Sequence, residues 1–316
     1  MDKQAEELNN KIKQSNPVVY DLLSEKGKAI YFPKAGILSQ SADAQGKKIN
    51  ATIGISLEDD GQPMAFKSIS ENIKLDKKEI FPYSPSFGKP QLREKWKELI
   101  YKKNPSLKGI ETSLPVTTNA LTHGLSILGY LFINKGDKII MPDFYWENYD
   151  LVFKNAFGAE FDLFKTFDQD DFNVQGLKEK IQKSKQKTII LLNFPNNPTG
   201  YSLTQQEAEE ITNMLSTHAE KGNKILLIAD DAYFGLVYKE GIYKQSIFCK
   251  LANLHENILA VKVDGPTKED YVWGFRIGFI TYGIKGASKD LYTALENKTA
   301  GAIRGNISMA PHLSQS

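Results

Sequence analysis

The residues with the clearest chemical potential are a lysine and an arginine that follow one apolar segment. Lys268 lies five positions beyond the largely apolar run 258–263, and Arg276 lies eight positions after the lysine. A lysine amine can form a Schiff base with a carbonyl compound, and a guanidinium can bind a phosphate through two parallel hydrogen bonds. The pair alone is weak evidence, because most lysines are solvated surface charges.

Two further apolar segments end in polar side chains of the kind that such a lysine needs. The run 188–192 is followed by Asn193-Phe-Pro-Asn-Asn197-Pro198-Thr-Gly200, and the run 224–228 by Ala229-Asp230-Asp231-Ala232-Tyr233. Short apolar runs suit parallel strands that are buried on both faces. Because ligands of open α/β sheets bind beyond the carboxyl ends of the strands, we expect these side chains to meet Lys268 in one crevice.

Strand and helix patterns alternate from Lys138 onward, which favours α/β layering. Strands are predicted at 138–142, 160–164, 188–194, 224–229, 258–263 and 277–282, and helices at 90–103, 120–133, 146–156, 174–183 and 205–216. Thr204 and Glu207 form a capping box for the last of these helices. The direction of the strand at 277–282 is left open.

The N-terminal part has a different character. Residues 2–25 read as polar helices that are interrupted at Asn16-Pro17, and a Gly/Ser-rich stretch follows at 36–46. A short strand and a turn are predicted at 51–63.

Composition limits the class of protein and its partners. The chain has 316 residues, and 40 basic residues against 38 acidic ones leave a net charge of +2. This near balance gives no indication of a nucleic-acid partner. The single cysteine, Cys249, excludes an intramolecular disulfide and fits a reducing compartment.

Other sequence signals predict neither a membrane anchor nor a metal site. The apolar runs are too short to cross a bilayer, and the N-terminal residues lack the apolar core of a signal peptide. We therefore expect a cytoplasmic enzyme. Metal-ligand spacing is absent from the scattered histidines, which are His123, His218, His255 and His312.

The ordered combination NNPTG, D-x-A-Y and K-x7-R-x-G, from about residue 50 to about residue 311, resembles the fold-type I pyridoxal-phosphate enzymes. The resemblance is to class I aminotransferases of the aspartate aminotransferase kind. It implies a pyridoxal 5′-phosphate cofactor and transfer of an amino group from an amino acid, with aspartate and glutamate as candidates, to a 2-oxo acid. β-Elimination or decarboxylation on the same scaffold is the nearest alternative. A non-catalytic domain that binds the cofactor or only dimerises is another.

The resemblance also implies a domain plan. A three-layer large domain at 63–300, with a mostly parallel sheet flanked by helices, would bind the cofactor. Residues 1–62 and 301–316 would belong to an incomplete small domain. Members of this family continue beyond the counterpart of Pro311, and that continuation carries the arginine that binds the substrate α-carboxylate. The match therefore predicts a chain without the C-terminal part of the small domain.

The same match implies roles for the residues around the cofactor ring. Lys268 matches the Schiff-base lysine, and Asp230 matches the carboxylate beside the pyridine nitrogen. Asp231 is the competitor, but the D-x-A-Y spacing selects Asp230 because it leaves Tyr233 three residues on. Tyr233 and Asn197 match the groups that hydrogen-bond the ring oxygen O3′, and in the family the Asn-Pro peptide is often cis.

An aromatic residue is expected to stack on the ring. Trp146 matches this position, with Phe144 and Tyr145 as alternatives, and Asn148 is a further candidate for orienting the ring.

Phosphate contacts are implied for Arg276 and for the start of the helix at 120–133. The matching residues there are Asn119, Ala120 and Leu121, where the family usually has glycine or hydroxyl residues. Gly265 stands where a phosphate-binding serine is common, so Thr267 is a further candidate. Tyr83 matches a tyrosine that reaches the phosphate of the partner subunit, which implies a homodimer with shared sites.

Two residues match substrate contacts. Gly54 matches a glycine near the substrate carboxylate. Arg304 matches an arginine that reaches from the neighbouring subunit and pairs with the side-chain carboxylate of the substrate.

Overall fold

The structure is a computed structural model that describes residues 1–32, 40–41, 43–48, 50, 52, 54–184 and 187–316. The α-helices in these ranges are α1 (Lys3–Ser15), α2 (Pro17–Leu22), α3 (Glu25–Ala29), α4 (Lys67–Ser70), α5 (Lys77–Ile80), α6 (Pro90–Lys103), α7 (Ala120–Phe132), α8 (Val174–Lys183), α9 (Gln205–Glu220), α10 (Ile247–Leu251), α11 (Lys289–Asn306) and α12 (His312–Gln315). The strands are β1 (Val116–Thr118), β2 (Lys138–Pro142), β3 (Glu160–Phe164), β4 (Phe167–Asp168), β5 (Asp171–Phe172), β6 (Lys187–Asn193), β7 (Lys224–Asp230), β8 (Ile258–Asp264) and β9 (Gly278–Gly283).

A seven-stranded sheet in the order β1-β9-β8-β7-β6-β2-β3 forms the centre of the described fold. Strands β3, β2, β6, β7 and β8 are parallel, whereas β9 runs antiparallel to both β8 and β1. This mostly parallel sheet with helices on both faces confirms the predicted α/β fold class. Hydrogen-bond pairing decides the direction of β9, which the sequence had left open.

The central strands are apolar throughout because both faces of the sheet are covered. In each of β6, β7 and β8, all but one residue is buried. Alternate residues of β7 enter two separate cores: Leu227 packs on the side of α8 and α9, and Ile228 packs on the side of α7 and α11. The alternation of side chains along a strand therefore decides which helical layer each strand-end residue faces.

Most predicted elements agree with the structure to within a few residues. The region 146–156 differs: a π-helix spans only Asp150–Asn155, after a turn that begins near Trp146. Residues 51 and 53 of the short strand predicted from position 51 lie outside the described residues, as does much of 36–46. Nearby, Leu57 forms a single antiparallel bridge with Pro63.

The predicted division into domains stays a prediction, and α11 runs without a break through its boundary at residue 300. Over the described part of the chain, none of the helices combines the length and apolar character that crossing a lipid bilayer requires.

Candidate active site

Neighbouring parallel strands end in polar residues at one edge of the sheet. Asn193 ends β6, Asp230 ends β7, and the two residues are paired in register. The Asn193 side-chain amide donates a hydrogen bond of 2.8 Å to the Asp230 carbonyl. Lys268 and Arg276 follow the end of the next strand, β8. The structure thus brings the predicted carboxylate, amine and guanidinium together.

A pocket of about 300 Å³ lies beyond these strand ends. Its charged lining residues are Asp230, Lys268 and Arg276. Since two cations face one carboxylate, the pocket favours a ligand that carries net negative charge. The full lining is Gly54, Ile55, Ala120, Leu121, Thr122, Trp146, Tyr149, Asn193, Asn197, Asp230, Ala232, Tyr233, Thr267, Lys268, Trp273 and Arg276.

The carboxylate of Asp230 is buried and held by two donors. The Tyr149 hydroxyl donates to Oδ2 at 2.6 Å, and the Ala232 backbone N–H donates to Oδ1 at 3.1 Å. Burial and, to a smaller extent, the nearby charge of Asp231 raise the pKa of Asp230 to about 6, against the lowering effect of these hydrogen bonds and of Lys268. A cation placed against this carboxylate would favour its ionised form.

The adjacent Asp231 points to the other face of the sheet. It accepts a hydrogen bond of 2.6 Å from the Ser246 hydroxyl and pairs with the fully buried ammonium of Lys262. Lys262 also lies 3.2 Å from Asp264. Asp231 does not line the pocket, so of the two candidate aspartates only Asp230 faces Lys268.

Lys268 is half-buried beside Asp230 and Tyr233. Its Nζ lies 5.3 Å from the centre of the Tyr233 ring. Burial lowers the pKa of Lys268, the Asp230 carboxylate raises it in part, and the Arg276 guanidinium lowers it again. The amine therefore loses its proton more readily than a surface lysine does.

Asn197 and Tyr233 lie together in the pocket wall. The Asn197 side-chain amide is 3.4 Å from the Tyr233 hydroxyl, and the Asn197 backbone N–H donates to Asn193 Oδ1 at 2.7 Å. The Asn197–Pro198 peptide bond is cis, as is the one between Phe194 and Pro195.

Of the three aromatic candidates, only Trp146 lines the pocket. Phe144 is 50% exposed and packs against Phe167. Tyr145 packs edge-on against Phe161 and donates to Asp150. Asn148 lies in the turn between these aromatics and the π-helix, outside the pocket lining.

The first turn of α7 forms another wall through Ala120, Leu121 and Thr122. Ala120 is buried with a φ of 62°, so the chain enters the helix through a left-handed residue. Backbone N–H groups in a first helical turn have no partner within the helix and attract anions. The Thr267 hydroxyl, which is buried and has no hydrogen-bond partner within the described part of the chain, adds one more donor to this pocket.

The other predicted residues lie outside the pocket. Asn119 precedes α7, and its backbone N–H donates to His123 Nδ1 at 3.1 Å. Tyr83 is 88% exposed, and the exposed Arg304 near the end of α11 donates to the Ser308 hydroxyl at 2.8 Å. Within a single chain, neither Tyr83 nor Arg304 therefore meets Lys268.

Sequence reasoning did not assign Tyr149, Asn193 or Trp273 to the site. Asn193 was visible as a polar residue at the end of an apolar run. Tyr149 follows the Trp146 motif directly, but its contact with Asp230 joins positions 81 residues apart. Trp273 lies between the predicted lysine and arginine, and no spacing rule indicates where its ring points.

A larger groove of about 490 Å³ opens between α8 and α9. Its charged residues Lys178, Glu210 and Lys221 are exposed, and it lies away from the ends of β6, β7 and β8. Because it lacks the converging buried polar groups of the strand-end pocket, we assign the chemistry to the latter.

Comparisons with known proteins agree with this architecture. Aspartate aminotransferase of Bacillus sp. (strain YM-2) is 30% identical over 207 residues, which is 62% of this chain and 47% of the relative. The crystal structure of an aminotransferase from Anaerococcus prevotii has a TM-score of 0.81 at 28% identity and covers 93% of this chain and 74% of that one. Cytoplasmic aspartate aminotransferase of Saccharomyces cerevisiae shares the fold, with a TM-score of 0.75 at 18% identity, covering 95% of this chain and 75% of that one.

The chain spans about half the length of the curated relatives it matches, 47% and 54% for the first two. The family profile described as "Aminotransferase class I and II" matches residues 46–312, which is most of the chain. This protein therefore belongs to the aminotransferase class I and II family.

Proposed function

We propose that this protein binds pyridoxal 5′-phosphate in the strand-end pocket and transfers an amino group between an amino acid and a 2-oxo acid. The observation that carries the proposal is the convergence of Lys268, Asp230 and Arg276 on one pocket of about 300 Å³. The amine would react with the cofactor aldehyde, and the buried carboxylate would pair with the pyridine nitrogen. The guanidinium would bind the phosphate. Family membership supports the same reaction class.

The pocket fits this cofactor in charge and in free donors. The lining has one more positive than negative charge, which suits a phosphate ester. The Thr267 hydroxyl has no partner in the ranges that the structure describes, and an unpaired buried donor is costly unless a ligand or water accepts its hydrogen bond. The first turn of α7 supplies further N–H groups beside Arg276.

Pyridoxal phosphate, when bound, supplies an electron sink for the bond broken at the substrate Cα. Asp230 would oppose the pyridine nitrogen and keep it protonated. Tyr149 and the Ala232 N–H hold this carboxylate in one orientation. Asp230 paired with the pyridine nitrogen would have a lower pKa than in the cofactor-free protein and would stay ionised at neutral pH.

Lys268 would hold the cofactor covalently and later carry a proton to and from the substrate Cα. Its lowered pKa leaves more of the amine unprotonated near neutral pH, which both roles require. The Tyr233 hydroxyl and the Asn197 amide, which lie 3.4 Å apart, would both bind the ring oxygen. Trp146 would cover one face of the ring.

The substrate class that we propose is the dicarboxylic amino acids, through Arg304 of a neighbouring subunit and with Gly54 beside the substrate α-carboxylate. A guanidinium binds a carboxylate through two parallel hydrogen bonds. Arg304 is exposed and makes only one side-chain hydrogen bond among the described residues, to Ser308, so its remaining donors are available.

The decisive experiment is reduction with borohydride after addition of pyridoxal phosphate, followed by peptide mapping. We expect the pyridoxyl group on Lys268 and its loss in Lys268→Ala, whereas the exposed control Lys285→Ala should retain it. Labelling at Lys262 or Lys285, or no stoichiometric labelling, would refute the assignment.

Addition of an amino acid to the loaded protein then separates cofactor binding from amino transfer. A donor-dependent change in the cofactor absorbance is expected, and binding without such a change would leave only the cofactor-binding half of the proposal. Arg304→Leu should weaken the response to aspartate at least about tenfold more than the response to alanine. Lys298→Leu, an exposed cation on the same helix, should affect both donors equally.

A further inference from the structure

Trp273 lies between Lys268 and Arg276 in the sequence, and its indole N–H is unpaired among the described residues. It opens a short 3₁₀ turn, Trp273–Phe275, after Lys268 and directly before Arg276, and it lines the same pocket as both. Its indole Nε1 is buried, and none of the residues that the structure describes accepts a hydrogen bond from it. An indole nitrogen can only donate, so an acceptor such as a ligand oxygen or a water would satisfy this group.

The orientation of the Trp273 ring is fixed by an aromatic stack. Tyr271 stacks on Trp273 with ring centres 5.6 Å apart, and Phe66 stacks on Tyr271 at 5.1 Å. The Arg276 guanidinium approaches the Trp273 carbonyl at 3.5 Å. The Trp273 backbone thus lies close to the guanidinium, and the Trp273 side chain lines the same pocket as the arginine that the proposed function assigns to the phosphate.

Steric crowding at position 265 explains why this chain has a glycine there instead of a serine. The family resemblance puts a phosphate-binding serine at Gly265, but a Cβ there would lie 2.7 Å from the Ile277 carbonyl oxygen and 3.0 Å from the Gly278 Cα. Both obstacles are backbone atoms, which cannot rotate away. Position 265 of this chain therefore cannot supply a hydroxyl without a backbone shift.

We infer that the Trp273 indole N–H, together with the Thr267 hydroxyl, donates to the cofactor phosphate and replaces the missing serine. The inference rests on the proposed function, because it takes pyridoxal phosphate as the ligand. It adds a phosphate-binding residue that the sequence motifs did not indicate. Lys268 and Arg276 line the same pocket and favour an anionic acceptor.

The test compares the affinity of the protein for pyridoxal 5′-phosphate with that for pyridoxal, which lacks the phosphate. Trp273→Phe keeps an aromatic ring in the stack but removes the N–H. We expect it to weaken pyridoxal phosphate binding by about tenfold to a hundredfold, the usual effect of one hydrogen bond to a charged group. Pyridoxal binding should stay within about threefold of wild type, on the same argument.

The pyridoxal measurement also reports whether the variant is folded. Thr267→Val should cause a similar selective loss, and Tyr271→Phe, in the same stack but outside the pocket lining, should change neither affinity. Equal weakening for both ligands in Trp273→Phe, or no weakening for either, would overturn the inference while leaving the proposed function intact. Failure of the wild-type protein to bind either ligand would overturn both.

Discussion

Asp230 and Asp231 are adjacent and chemically identical, yet the sheet gives them opposite environments. Side chains alternate along β7, so Asp230 faces the pocket and Asp231 faces the buried Lys262. Asp230 has neutral donors as its hydrogen-bond partners, whereas Asp231 has a cation. The Asp230 carboxylate can therefore pair with a positively charged group of a ligand. The charge of Asp231 is already neutralised by Lys262.

Asp230 should therefore impose a pH dependence on the stability of the cofactor-free protein. Its pKa rises from the ordinary 3.8 to about 6 on folding, so the folded state keeps a proton that the unfolded state has lost. The stability that this protonated form contributes is present below about pH 4 and is lost as the pH rises through about 6. Relative to Asp230→Asn, the wild type should lose about 3 kcal/mol across this window.

Chemical denaturation at a series of pH values measures this difference. A wild-type minus variant difference that stays constant between about pH 4 and about pH 6 would contradict the effect of burial on Asp230. Asp231→Asn, measured in the presence of the cofactor, is the control that tests whether Asp230 or Asp231 contacts the cofactor. It should cost stability, because Lys262 loses one of its two carboxylates, yet leave the cofactor spectrum unchanged, while Asp230→Asn should change the spectrum.

Motif spacing predicted Asp230, because D-x-A-Y also requires Tyr233 in the same turn. The same reasoning could not predict Tyr149, since its hydrogen bond to Asp230 depends on the packing of the π-helix region against β7. Pairwise contacts between distant segments have no local signal in a single sequence.

At the scale of elements, the site depends on the close approach of β9 to the start of α7. A Cβ on Gly278 would lie 2.7 Å from the Ala120 carbonyl carbon and 3.0 Å from the Leu121 backbone nitrogen. The absence of a side chain at Gly278 thus lets the first turn of α7 lie against the sheet and form a wall of the pocket.

Gly278→Ala should displace the start of α7 and weaken both folding and cofactor binding. Overpacking against backbone atoms costs about 1–3 kcal/mol in well-packed cores. Gly301→Ala is the matched control, because Gly301 lies exposed inside α11 with open space around it. It should raise stability by up to about 1 kcal/mol through helix propensity. Denaturant midpoints and pyridoxal phosphate affinity measure both effects, and equal behaviour of the two variants would disprove the packing argument.

Strand positions were predictable because buried strands are short apolar runs that end in polar residues. The pattern of 224–229 differs from the observed Lys224–Asp230 by one residue. The helix predicted at 146–156 was wrong in its first turn, where apolar spacing alone did not reveal that Trp146 lies in a turn facing the pocket. The antiparallel direction of β9 follows from its pairing with β8, which leaves no periodic signal in the sequence.

At the scale of the whole molecule, the exposed aromatic side chains near Tyr83 need an explanation. Phe81 is 77% exposed and Tyr83 is 88% exposed, and neighbouring exposed aromatics commonly mark contact surfaces. The family resemblance assigns Tyr83 to the phosphate of a partner subunit. This contact requires a second copy of the chain.

A homodimer with shared sites predicts the behaviour of mixed subunits. Lys268→Ala subunits, which cannot hold the cofactor covalently, are combined with Tyr83→Phe subunits, and the hybrid is isolated through different affinity tags. If Tyr83 crosses the interface, the Tyr83→Phe subunit keeps its own Lys268 and receives an intact Tyr83 from its partner. One site of the hybrid is then native, and the other carries both defects.

Pyridoxal phosphate affinity distinguishes the arrangements without requiring turnover. The site of the hybrid that keeps Lys268 should bind pyridoxal phosphate with wild-type affinity. The Tyr83→Phe homodimer should bind it about tenfold more weakly, because it lacks one hydrogen bond to a charged phosphate. The reason is geometric: in this structure Tyr83 lies outside the pocket that contains Lys268, which favours a contact made from a partner subunit. A hybrid as weak as the Tyr83→Phe homodimer would show that each subunit uses its own Tyr83. A protein of 35.5 kDa that sediments as a monomer when loaded with cofactor would rule out shared sites altogether.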